Sequence, residues 1–152
     1  MLEGQYRRVR LNNGRETFMP FVRATLVIGG RNSPECDGLI DTGASINLIS
    51  MSSAAALLGK SAEEVKRGDV LNICGVGSAN YPAYGWQVDL QLRATTVSTT
   101  RMIWQSAWVF VVERPVPLAQ ILLGQFTGLE EKIFVHNNRA KRRYWMLKEL
   151  SA

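Results

Sequence analysis

The residues best suited to chemistry lie at 41–45, where Asp41-Thr42-Gly43-Ala44-Ser45 follows the apolar pair Leu39-Ile40. A carboxylate at the end of an apolar strand has its backbone fixed by the sheet while its side chain reaches into a cleft. The Thr42 hydroxyl can donate or accept a hydrogen bond beside it, and Gly43 permits a close backbone approach or an unusual φ. Acid–base chemistry by carboxylates can use two of them, one charged and one protonated. Like charges a few ångströms apart cannot both ionise, so such a pair keeps one proton. The chain carries Asp-Thr-Gly once and Asp-Ser-Gly nowhere, and Asp37, Asp69 and Asp89 lack the flanking pattern. Chemistry that needs a second such carboxylate would draw it from a second copy of the chain, through a self-complementary two-fold interface. The competing reading of the tripeptide is a plain turn between two strands, since Asp and Gly are common turn residues.

The segments around Asp41 read mainly as β. Phe21–Ile28 is rich in β-branched residues and ends at Gly29-Gly30, a turn signal. Residues 31–37 read as a loop, and Ile46–Ile49 resumes an apolar strand pattern. Residues 52–66 differ: Ser52 or Ser53 can cap a helix through Ala54–Leu58, and Gly59 fits its stop. Ser61 and Glu64 have capping-box spacing and open a second short helix. Strands return at Val70–Cys74 and at Trp86, Val88, Leu90 and Leu92, which alternate with polar residues. Between them lies a glycine tip, Gly75-Val76-Gly77. Trp108–Val112 is a further strand, broken by Pro115 and Pro117. Ile121–Leu123 is a short buried run ending at Gly124, and Phe126–Glu131 reads as a short helix. Ile133–Val135 and Tyr144–Leu147 form a terminal hairpin around Asn137-Asn138. Many short strands with little helix predict a compact barrel or sandwich.

Three of these features stand in a telling order: LeuIleAspThrGlyAlaSer at 39–45, CysGlyValGlySer at 74–78 and IleLeuLeuGlyGlnPhe at 121–126. In that order and spacing the chain resembles the retroviral and retrotransposon aspartic proteases, the retropepsin family, over about residues 20–148. The resemblance implies a mainly β fold: a small closed β-barrel with one or two short helices, forming a homodimer whose active site lies on the two-fold axis. It divides the chain into an N-terminal arm, 1–19, and a protease domain, 20–150. It implies a polyprotein-processing or limited-specificity endopeptidase that needs no metal and no cofactor. Asp41, Thr42 and Gly43 would be the catalytic motif. Ala44, Ser45, Gly75, Val76 and Gly77 would bind an extended peptide, with a flap at roughly 72–86 closing over it. Many retroviral members carry an acidic residue where Ser45 stands and an arginine where Gln125 stands. Loss of both charges together leaves neither unpaired, and a polar Ser45–Gln125 contact is the expected replacement. The alternative is an inactive retropepsin-like dimerisation or peptide-binding module.

The bulk composition bounds these readings. The chain has 152 residues, 46% hydrophobic and 20% charged, which suits one folded domain. No apolar run approaches the roughly 18 residues that span a bilayer, and the N-terminus lacks the apolar stretch of a signal peptide. No membrane partner is expected. An intracellular location is, in the cytoplasm or within a virus-like particle; the chain reads as soluble and unsecreted, or as a piece cut from a longer polyprotein. Net charge is +5, with Arg7, Arg8 and Arg10 near one end and Arg139, Lys141, Arg142, Arg143 and Lys148 near the other. Such clusters can bind nucleic acid, but no aromatic-interleaved motif accompanies them, and a solvated surface is the favoured reading. Cys36 and Cys74 form no metal-type cluster; two free thiols is the simpler reading, and one disulfide between them is the alternative. His136, the only histidine, reads as a surface residue beside a turn, with no triad around it. Cys74 reads as a small apolar strand residue. Trp86, Trp104, Trp108 and Trp145 read as core or interface anchors.

Overall fold

The computed structural model describes residues 1–74, 80–94, 99–139 and 142–150. In chain order the elements are β1 (Leu2–Gln5), β2 (Arg7–Arg10), β3 (Glu16–Met19), β4 (Phe21–Ile28), β5 (Arg31–Asn32), β6 (Cys36–Ile40) and β7 (Asn47–Ser50). There follow α1 (Met51–Leu58), α2 (Ala62–Val65), β8 (Asp69–Cys74), β9 (Asn80–Arg93), β10 (Met102–Val112) and β11 (Ile121–Leu123). A 3-10 turn at Leu129–Glu131 leads into β12 (Lys132–Arg139) and β13 (Arg142–Glu149).

Six strands, in the order β4-β6-β11-β7-β10-β9, close into a barrel because β9 returns to pair with β4, Leu26 opposite Leu90. Closure removes the free edges that an open sheet of this kind would expose. Strand periodicity fills the interior: Val22, Ala24 and Leu26 of β4, Val88, Leu90 and Leu92 of β9, and Ile121 and Leu123 of β11 are all buried. Of the tryptophans, Trp104 and Trp145 are buried, while Trp86 and Trp108 are partly exposed.

The first helix begins at Met51, so its cap lies two residues before Ser52, and the expected cap at Ser52 or Ser53 is corrected. Ser50 is its N-cap and makes no capping bond; its hydroxyl pairs with that of Ser52 at 2.8 Å. Gly59 ends α1 in the left-handed region, with φ +66, as its position after Leu58 predicted. The capping box opens α2: Glu64 N–H donates to Ser61 Oγ, and Ser61 N–H donates to the Glu64 carboxylate, both at 3.2 Å.

Two local expectations are corrected. Residues 126–131 are not one α-helix: 125–128 form a hydrogen-bonded turn, with Thr127 at φ +52, and 129–131 a 3-10 turn. The N–H groups of Gln125 and Phe126 bond across to the carbonyls of Ala44 and Ser45, while the Gln125 carbonyl accepts from Gly128 N–H at 3.0 Å and Glu130 N–H at 3.1 Å, spacings of three and five residues and not the four of an α-helix. The terminal hairpin does not turn at Asn137-Asn138. Its strands continue to Arg139 opposite Arg142. The register is set by β1, which pairs Leu2 with Leu147 and Gln5 with Tyr144, so that Trp145 and Leu147 face inward. A one-residue slip would expose both.

Residues 1–19 form β1 and the β2–β3 hairpin, and Leu2 and Tyr6 pack into the main core. An ionic cluster ties this hairpin to the barrel. Arg7 donates to Asp37 at 3.0 Å, Arg23 donates to Asp37 at 2.5 Å and to Glu35 at 3.1 Å, and Arg93 donates to Glu35 at 2.5 Å. Hydrogen bonds from Arg93 hold the Glu35 carboxyl below its ordinary value, and hydrogen bonds from Arg7 do the same for Asp37. A depressed carboxylate stabilises the fold above its unfolded pKa and loses that contribution as pH falls through its folded pKa. The melting temperature is therefore expected to fall once pH drops below the ordinary values of 4.5 for Glu35 and 3.8 for Asp37. Thermal melts across this range check it, and Glu35→Gln should flatten the fall.

Candidate active site

Asp41 is placed by a strand insertion. β11 lies between β6 and β7, parallel to the first, with Leu123 beside Ile40, and antiparallel to the second, with Leu122 opposite Leu48. The ladder runs one step past β6: Asp41 N–H donates to the Leu123 carbonyl at 2.9 Å. Beyond it the chain turns sharply. Gly43 N–H donates to Asp41 Oδ1 at 3.0 Å, and Ala44 N–H donates to the Asp41 carbonyl at 3.1 Å. The carboxylate is thus oriented by the backbone it precedes. Asp41 and Ala44 are half-buried, whereas Thr42, Gly43 and Ser45 face solvent.

The segment after β11 braces the loop from the other side. Gln125 N–H donates to the Ala44 carbonyl at 3.0 Å, and Phe126 N–H donates to the Ser45 carbonyl at 2.9 Å. Gln125 Nε2 donates to the Thr42 carbonyl at 2.9 Å. This corrects the expected Ser45–Gln125 side-chain pair: the amide of Gln125 takes a backbone acceptor, and Ser45 contributes its carbonyl. Gly124 passes directly beneath the loop. A Cβ there would lie 2.3 Å from the Ile46 carbonyl oxygen and 2.8 Å from that of Ala44, both backbone atoms. Gly43 is different, since a Cβ would meet only the Asp41 carboxylate, at 3.4 Å. Packing within one chain does not require glycine at 43.

On the barrel face opposite the main core, Leu39, Leu122 and Phe21 form a second apolar cluster, with Leu48 and Val116 packed against it. Ala83, Phe110 and Val112 extend this surface, with Ile46, Ile73 and Tyr81 alongside. Alternation along β6, β7 and β11 produces it: Ile40, Ile49 and Leu123 point into the barrel, their neighbours point away. β8 and β9 form a hairpin in register from Asp69 opposite Gly85 to Cys74 opposite Asn80. Gly75, Val76 and Gly77 at its tip lie outside the described residues.

One residue of this site was not singled out from sequence. Asn47 is fully buried at the start of β7. Its Oδ1 accepts from Gly124 N–H at 2.9 Å, and its Nδ2 donates to the Trp108 carbonyl at 3.0 Å. The signal was present as a lone amide inside the otherwise apolar run Ile46–Ile49.

The other reactive side chains stand apart. His136 lies within β12, not beside a turn, and its Nδ1 is hydrogen-bonded to the Tyr6 hydroxyl. Both cysteines are free. Cys36 is buried, and burial pushes its thiol up to about 12, which leaves it a poor nucleophile. Cys74 lies on a strand as read, but it is exposed, with its thiol 2.7 Å from Asn80 Oδ1.

The chain aligns with the crystal structure of a retropepsin-like aspartic protease from Rickettsia conorii at a TM-score of 0.52, over 97% of this chain and 92% of that one. The fold is retropepsin-like. Sequence identity over this alignment is 17%, so the likeness carries the fold, and the site stands on its own geometry. No family model and no curated protein matches the chain.

Proposed function

We propose that the chain is an aspartic endopeptidase of retroviral type, active as a homodimer in which each copy supplies one Asp41. The observation that carries this reading is the placement of Asp41 by inserted β11, with its backbone locked to Leu123 and its flanking Thr42 and Gly43 turned to solvent. A single chain has one such carboxylate. Its solvent-facing loop is the surface through which a second copy would complete the pair.

In the proposed reaction a water sits between the two Asp41 carboxylates, which share one proton. The ionised Asp41 takes a proton from the water as its oxygen attacks the peptide carbonyl. The protonated Asp41 donates to the carbonyl oxygen, and a proton then passes to the leaving nitrogen as the C–N bond breaks. No covalent intermediate forms. Thr42 would link the two loops at the axis, and the Gly43 carbonyl would accept from substrate N–H groups. The substrate would be an extended segment of a polyprotein or of a limited set of proteins. It would lie as an added strand under the β8–β9 hairpin.

Dilution tests the shared site. Specific activity on a mixed peptide library should fall as protein concentration drops through the dimer dissociation range, in step with loss of dimer in sedimentation. A monomer that keeps full activity would refute the shared pair. A stable dimer that cleaves nothing at acidic or neutral pH would favour an inactive peptide-binding module.

A further inference from the structure

We infer that Asn47 is a positioning residue for the catalytic loop, a strut that sets the height of Asp41 through Gly124. This inference rests on the proteolytic reading above for its kinetic consequences, but its structural arm stands alone.

The amide of Asn47 has its orientation fixed by its partners. Gly124 N–H can only donate, so it faces Oδ1, and the Trp108 carbonyl can only accept, so it faces Nδ2. One buried side chain thus joins β7 to β10 and to the end of β11. Gly124 follows Leu123, whose carbonyl holds the Asp41 N–H. Gly124 also supports the loop from below, in contact range of the Ile46 and Ala44 carbonyls. A displacement of Gly124 therefore moves both the hydrogen bond under Asp41 and the floor of residues 44–46. The strut is anchored on its far side. Trp108 N–H donates to Thr127 Oγ1 at 2.7 Å, and Thr127 N–H donates to the Glu130 carboxylate at 2.8 Å. The chain of bonds runs from Glu130 through Thr127, Trp108 and Asn47 to Gly124, so the loop rests on β10 as well as on its own neighbours.

Two variants of the full chain test this. Asn47→Leu keeps the size and removes both bonds. It should lower kcat by roughly tenfold to a hundredfold with KM within about twofold, the pattern of a misplaced catalytic group. Amide exchange at Asp41 and Gly124 should rise at least about tenfold, while Leu90, deep in the barrel, stays protected. Asn47→Asp is the titratable variant. Protonated, its carboxyl has one O–H to give Trp108 and one oxygen for Gly124; ionised, it has no donor. Its kcat relative to wild type should therefore fall as pH rises, with protection of the Asp41 amide, compared with wild type at the same pH, falling over the same range. If Asn47→Leu does not fold, Asn47→Asp carries the test. A kcat and an Asp41 amide protection that keep a constant ratio to wild type across pH would overturn the inference. So would exchange rising uniformly with Leu90 included, since that assigns Asn47 to general stability. If the wild-type protein cleaves no peptide, the proteolytic reading fails by itself, and the exchange pattern still decides the role of Asn47.

Discussion

Asp41→Asn is expected to lower peptide cleavage by at least about a thousandfold while leaving the fold and the dimer in place. The amide matches the carboxylate in shape. Its Oδ1 can still accept the Gly43 N–H, and the backbone bonds from Asp41 to Leu123 and from Ala44 to Asp41 are untouched. What is lost is the proton exchange between two carboxyl groups, since an amide at this position neither takes a proton from water nor delivers one to the substrate. Cleavage of a peptide library checks the first half, and sedimentation with a thermal melt checks the second. Retained cleavage would remove Asp41 from the chemistry. Loss of the fold would show that the loop depends on the charge itself.

Gly124→Ala should be the most damaging single-atom change near the site. The added carbon would sit 2.3 Å from the Ile46 carbonyl oxygen, 2.7 Å from its carbonyl carbon and 2.8 Å from the Ala44 oxygen. All three are backbone atoms of the loop that carries Asp41, so no side-chain rotation relieves the clash. The loop or β11 has to move. Forced overpacking of this kind costs about 3 kcal/mol, and the same movement pulls Leu123 away from Asp41. A urea titration should show a lower midpoint, and cleavage should be lost even where the variant remains folded. A midpoint and an activity equal to wild type would mean that the loop is far more yielding than its hydrogen bonds imply.

The placement of Asp41 at a strand-to-turn junction was legible in the sequence because its setting is local: an apolar pair, the carboxylate, then two small turn-forming neighbours. The same holds for Gly59, for the Ser61–Glu64 capping box and for the alternation of Val88, Leu90 and Leu92, each decided within a few residues. The closed barrel was legible as a class, but its closure depends on β4 meeting β9, a pairing far apart along the chain. Long-range partners account for the misses. The terminal strands run past Asn137-Asn138, and their partner β1, with Leu2 opposite Leu147, comes from the far end of the sequence. Gln125 found the Thr42 carbonyl in place of the Ser45 side chain because the two segments run past each other backbone to backbone. Asn47 escaped notice because one amide in an apolar run signals a role only when its two partners, at 108 and 124, are known.

Mixing wild-type chain with Asp41→Asn chain at constant total concentration, after subunits have exchanged, measures whether one active site needs two copies of Asp41. If it does, cleavage falls as the square of the wild-type fraction, so an equal mixture retains about a quarter of the activity. A fall in direct proportion to the wild-type fraction, with about half the activity left at equal mixing, would mean that each chain works alone and would contradict the shared carboxylate pair.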